Sequence, residues 1–217
     1  LCTQNLDNPT IADGSTAMDV KTYSGTGSTQ STTGLAFSPD LVWIKNRSVN
    51  DTHAILDTTR GTNTVLSSNL TNGDRTESGS VTAFNSDGFT VGGYNDTNRN
   101  NSNFVAWTWD AGSSAASNTD GSITSSVRAS QTNGFSIVSY TGNSTVGSTI
   151  GHGLNAQPGL VIIKNRDRSI NWVVGHLEVD SFKTGRIYLN TSGGQGTDED
   201  FFNNTNPTSS VFTVKDN

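Results

Sequence analysis

The sequence predicts an all-β protein: two tandem β-sandwich or jelly-roll-like repeats, the second truncated. Three observations lead there. Helix formers are scarce, with one methionine and glutamate only at Glu77, Glu178 and Glu199. Short apolar stretches alternate with Gly, Asn and Ser clusters, as in a chain of many short strands. Finally, one unit occurs twice.

The repeat is read from matched blocks in the same order. Leu41-Val42-Trp43-Ile44-Lys45-Asn46-Arg47 matches Leu160-Val161-Ile162-Ile163-Lys164-Asn165-Arg166 at an offset of 119. Gly34-Leu35 and Pro39 match Gly153-Leu154 and Pro158, and Val20–Gly25 matches Ile137–Gly142. Phe89-Thr90-Val91 matches Phe212-Thr213-Val214. The expected organisation is a junction over 1–15, a first repeat over 16–112, a polar linker over 113–133 and a second repeat over 134–217. Copy one runs on to Asn103–Trp109, a strongly alternating strand, while copy two stops at Asn217 before any equivalent. An excerpted chain, a disordered remainder and a strand donated by a neighbour all fit. The opening at Leu1, with no basic or apolar leader, fits a processed or excerpted chain.

Strands are expected in copy one at Val20–Tyr23, Leu41–Lys45, Ala54–Leu56, Val65–Ser67, Val81–Phe84, Phe89–Val91 and Phe104–Trp109. In copy two they fall at Phe135–Tyr140, Gly159–Lys164, Trp172–His176, Arg186–Asn190 and Val211–Val214, with a further short one over Ser122–Val127. Asn72-Gly73, Asp87-Gly88, Asp120-Gly121 and Asn133-Gly134 supply residues tolerant of positive φ for tight turns. Leu41–Ile44 is apolar without alternation, which predicts a strand covered on both faces.

Composition removes several function classes. The chain has 217 residues, charged residues at 15% and a net charge of −6. Ser, Thr, Asn and Gly make up about half of it, far above average usage. No apolar run reaches the roughly 18 residues of a membrane helix, so membrane insertion is not expected. The acidic balance disfavours nucleic-acid binding through phosphates. Cys2 is the only cysteine, which excludes an internal disulfide and a cysteine-based zinc site.

No catalytic, cofactor or metal site is predicted, and the ligand-binding residues stay unknown. A glycosidase needs paired carboxylates. Here the Asp198-Glu199-Asp200 run reads as a solvated loop. His53, His152 and His176 show no zinc spacing. Asp87, Asp96, Asp110, Asp120 and the Asp198–Asp200 run lie in Gly/Asn loops that offer oxygen donors for calcium, but Asx-turns explain Asp and Asn before Gly equally well. The Lys-Asn-Arg ending of both matched blocks returns a buried strand to water, or repeats a ligand site. Trp107 and Trp109 share a strand face and form a core or subunit contact, or a sugar-stacking platform.

Seven segments carry a family resemblance: Gly34–Arg47, Asp57–Gly61, Ser86–Val91, Phe104–Trp109, Asn118–Ile123, Phe135–Gly142 and Gly151–Leu154. Together they resemble a repeat domain of unknown function found in structural and tail-associated proteins of marine, cyanophage-like bacteriophages. The resemblance implies a virion structural protein, a tail-fibre or appendage module without enzymatic activity or cofactor. Its expected partners are other copies of itself (a trimer or a larger symmetric array), other virion proteins and a host-surface glycan. Its expected location is the virion, outside a cell. A carbohydrate-binding module or cell-surface adhesin is the alternative, and a glycan depolymerase a more distant one.

Overall fold

The structure, a computed structural model, describes residues 13–179, 182, 187–194, 196 and 201–215. It is mostly β: seventeen strands in several antiparallel sheets, with one short helix. A 3₁₀ turn at Gly14–Thr16, capped by the Asp13 carboxylate, leads into the first strand.

The first half is built around one four-stranded sheet. Its order is β1 (Met18–Ser24), β9 (Asn103–Trp109), β3 (Leu41–Asn46), β4 (Ala54–Asp57). The last strand in sequence is therefore inserted between the first and the third. The register runs Met18↔Trp109↔Leu41, Val20↔Trp107↔Trp43 and Tyr23↔Phe104↔Asn46. Alternation decides which side chains of β9 are buried. Phe104, Ala106 and Thr108 have no exposed surface, while Val105, Trp107 and Trp109 stay half-buried on the other face. A second sheet, β2 (Gln30–Thr32), β8 (Gly88–Val91), β7 (Val81–Asn85), supplies Phe89, Val91 and Val81 to the same core. Tyr23 stacks on Phe104 at 5.2 Å, donates its hydroxyl to the Thr97 carbonyl, and has its phenol pKa pushed well up by burial.

The connection into β9 holds the helix α1 (Asn95–Asn98). Its last residue, Asn98, is fully buried and fully used. The amide donates to the Ser28 and Gly92 carbonyls and accepts from Thr26 N–H and the Gln30 amide. One side chain thus closes three loops, at the cost of no unpaired polar group. Nearby, β5 (Thr64–Val65) pairs with β6 (Arg75–Thr76), and Leu66 bridges to Ile55.

The second half repeats two of these pairings. β13 (Ser148–Gly151) pairs with β17 (Val211–Val214), setting Ile150 opposite Phe212 as Thr32 stands opposite Phe89. β14 (Leu160–Ile163) pairs with β15 (Val173–His176), setting Leu160 opposite His176 as Leu41 stands opposite Asp57. β16 (Ile187–Tyr188) extends that sheet. Segment 113–133 contributes β10 (Ala116–Asn118) and β11 (Ser125–Ser130), and β11 pairs along its whole length with β12 (Phe135–Tyr140).

Most of the expected strands are present, with shifted ends. The Val65–Ser67 stretch pairs as Thr64–Val65 plus one bridge, and Ser122–Val127 moves to Ser125–Ser130. Of Arg186–Asn190, Ile187–Tyr188 is strand, and Arg186 lies outside the described residues. The expected double covering of Leu41–Ile44 is seen. Val42 and Ile44 enter the first core, while Leu41 and Trp43 pack on a cluster of Ile55, Leu66 and Trp172. The matching strand β14 differs: Leu160 is 52% exposed and Ile162 41%.

Candidate functional site

Two features stand out above the sheets: a lock between the halves, and a cleft beside it. The lock begins at Trp172, just before β15. Its ring is buried against Ile55 and Leu66, and its indole N–H donates to the Ser67 and Leu70 carbonyls at 2.9 and 3.1 Å. The next contact is backbone to backbone, Asp74 N–H to the Arg166 carbonyl at 2.7 Å. Gly73 makes this approach possible, because a Cβ there would lie 2.2 Å from the same carbonyl oxygen.

A charge ladder runs through the lock. Asp57 folds an Asx-turn, accepting from Thr59 and Arg60 N–H, and its other oxygen accepts from Arg60 Nε at 2.6 Å. Arg60 also donates to Asp74 and to the Ile55 carbonyl, so its buried guanidinium is well partnered. Asp74 in turn accepts from Arg166 of the second half. A separate tie joins Arg128 on β11 to Asp40, a carboxylate 1% exposed that also accepts from Ala111 N–H and the Thr58 hydroxyl. Burial raises the Asp40 pKa, and these donors oppose the shift.

The cleft, of about 550 Å³, lies between the half-buried face of the first sheet and the strands β12 and β14. Leu41, Trp43 and Trp109 form one wall. The other wall includes every residue from Phe135 to Tyr140 and from Leu160 to Ile163. A surface groove against one sheet face would meet alternate residues. Consecutive residues mean that the cleft reaches both faces of each strand.

The sequence-selected residues are dispersed. Among the described residues, no three His, Cys, Asp or Glu side chains converge as metal ligands. His53 bonds Ser68, His152 receives Leu154 N–H, and His176 receives Glu178 N–H. Burial lowers the pKa of His53 and His152. Asp87 accepts from Gly34 N–H, Asp96 from Thr52 and Tyr94, Asp110 from Gly112 and Asn133, and Asp120 from Asn118. Asp198–Asp200 lie outside the described residues. Trp107 meets Trp43 edge-on at 6.0 Å, and Trp109 stacks on Phe135 at 5.8 Å. Both are intramolecular contacts.

The Lys-Asn-Arg ending has a local structural task in both places. Asn46 accepts from Ser48 and Val49 N–H, and Lys45 donates to the Asp51 carbonyl. Asn165 accepts from Asp167 and Arg168 N–H, and Lys164 donates to the Asn165 and Arg168 carbonyls. Each block thus ends in an Asx-turn with a lysine closing the loop. The Asx-turn and lysine closure recur at matching positions 119 residues apart. Residues 13–217 match the family described as Domain of unknown function (DUF7483). The chain belongs to that family. No curated protein and no solved structure matches it. Sequence reasoning missed Asp40, Asp74 and Trp172, which help to join the halves of this DUF7483 chain, and Arg60, which holds Asp74 from within the first half. The motif Asp57-Thr58-Thr59-Arg60-Gly61 was the available signal for Arg60, since Asp followed by Arg at i+3 around an Asx-turn favours such a pair.

Proposed function

We propose that this protein is a non-catalytic assembly module: two sandwich-like β units in tandem, forming part of a tail fibre or similar virion appendage and presenting a surface for host attachment. The observation that carries the reading is the lock between the halves. Trp172, Asp74–Arg166 and Arg128–Asp40 tie units that each have a small core of their own. A chain that must transmit position or load along its length benefits from such ties, because single small cores are marginal alone. The Ser/Thr/Asn-rich composition supports an exposed setting, where hydroxyl and amide groups keep a repeat protein soluble. The virion setting, and partners such as further copies of the chain, other virion proteins and a host glycan, rest on the sequence resemblance.

Light scattering of the purified chain across concentration tests this, with a glycan array as its companion. A trimer or larger closed oligomer that persists on dilution is the expected result. A monomer at every concentration overturns the assembly reading. If that monomer also binds a glycan, the carbohydrate-binding module takes its place.

A further inference from the structure

The first half contributes one irregular stretch, 67–74, to the lock. Its Ser67 and Leu70 carbonyls accept from the Trp172 indole, and Asp74 meets Arg166 with both its N–H and its carboxylate. Between those contacts lies Asn72-Gly73. Asn72 is exposed. Among the described residues, neither its side-chain amide nor the Gly73 N–H has a hydrogen-bond partner. The Arg166 carbonyl lies so close over Gly73 that not even a methyl group would fit between them.

The chain has a second Asn-Gly pair, Asn133-Gly134, and there the asparagine is held. The Asn133 amide donates to the Asp110 carboxylate at 2.8 Å, and its backbone N–H donates to the Ser130 hydroxyl at 3.1 Å. This pair sits in the tight turn between β11 and β12.

We propose that Asn72 is a site of spontaneous deamidation, and that isoaspartate formed there loosens the lock between the halves. The chemistry needs only water. The Gly73 nitrogen loses its proton and attacks Asn72 Cγ; a C–N bond forms, and the side-chain nitrogen leaves as ammonia. The product is a cyclic succinimide, which water then opens. Addition of water at Cγ breaks the new bond and leaves aspartate. Addition at the main-chain carbonyl carbon breaks the original peptide bond and leaves isoaspartate, whose backbone runs through the side chain. Water is consumed, ammonia is released, and nothing is oxidised or reduced. Gly73 favours the attack because it has no side chain to shield its nitrogen. Asn72 turns freely, so Cγ can reach that nitrogen, whereas Asn133 must first give up a bond to a charged group.

Isoaspartate at position 72 adds a methylene to the main chain just before Gly73 and Asp74, the residues pressed against Arg166. With no space to take up the extra length, Asp74 cannot keep both of its contacts. Aspartate at the same position adds a charge but no length and leaves the register intact. The hold of one half on the other therefore weakens as the molecule ages. The inference rests on the lock and not on the assembly or virion reading.

The test ages the purified whole chain in mildly alkaline buffer, with and without urea. Mass spectrometry then follows the tryptic peptides Gly61–Arg75 and Ala129–Lys164, with fragmentation to locate the altered residue. In the folded chain Asn72 should convert at least about ten times faster than Asn133, since opening a charge-assisted hydrogen bond costs about that factor or more. In urea the two rates should converge. Equal rates in the folded chain, or a ratio that unfolding leaves unchanged, overturns the site. Amide exchange at Asp74, read by NMR, tests the consequence. It should speed up in aged protein, return to the slow rate after a protein-isoaspartate methyltransferase converts isoaspartate to aspartate, and stay slow in Asn72→Asp and in aged Asn72→Gln. Unchanged exchange in the aged protein, or equal speeding in Asn72→Asp, overturns the loosening.

Discussion

The two halves share matched sequence and two sets of strand pairs, yet they bury their shared strands differently. In the first half β3 is flanked on both edges, and its Leu41 and Trp43, the counterparts of Leu160 and Ile162, are half-buried. In the second half β14 has, among the described residues, β15 as its only strand partner and lines the cleft, and half of Leu160 stays exposed. The difference goes with the strand partners that each has among the described residues. An apolar strand does not bury itself; the neighbour that covers it decides.

The strongest way to break the comparison is to remove the centre of β9. Phe104→Ala should cost about 3–5 kcal/mol, because the ring is fully buried against Tyr23 and Phe89. Ile162→Ala in the second half should cost under about 1 kcal/mol, since the residue is already 41% exposed. Denaturant unfolding of the two variants measures the contrast, and equal costs would erase it.

Arg60 and Arg166 sharpen it further, because both hold Asp74. Arg60→Ala leaves the buried Asp57 carboxylate without its cation and should cost about 3 kcal/mol or more. Trp172→Phe removes one donor from two carbonyls in the lock and should cost about 1–3 kcal/mol. Its more telling readout is cooperativity. If the lock couples the halves, calorimetry of Trp172→Phe shows the single transition broadening or splitting in two.

Acid should also weaken the molecule. His53 and His152 have pKa values lowered by burial, so the unfolded chain binds protons that the folded chain refuses. Their contribution is complete above the ordinary histidine pKa, near 6.5, and is lost as pH falls below it. Stability measured from pH 7.5 to 5 should therefore decline, by at most about 1.4 kcal/mol per pH unit for each group. His53→Gln with His152→Gln should flatten that slope. The smallest effect is expected for Arg166→Ala, an exposed pair with Asp74 worth under about 1 kcal/mol.

Much of the fold was legible because alternation and turn chemistry are local. Asn103–Trp109 announces its two faces at every second residue, and the matched blocks make β3 and β14 counterparts. The lock was not legible. Trp172 is held by backbone carbonyls about a hundred residues away, and a carbonyl has no letter in the sequence. The Lys-Asn-Arg ending was legible as a return to water, but its Asx-turn depends on N–H groups two and three residues onward, which any residue supplies. The position of β9 between β1 and β3 was not legible either, since sheet order carries no local signal.

That order has a consequence for synthesis. β1 and β3 leave the ribosome well before β9, with about sixty residues intervening between the end of β3 and the start of β9. At about 5–20 residues per second, the nascent first half waits several seconds with its central position empty. During that interval β1 and β3 have no strand between them. The apolar strand Leu41–Ile44 lacks one hydrogen-bonded neighbour until then, and its protection during translation depends on how soon Trp109 arrives.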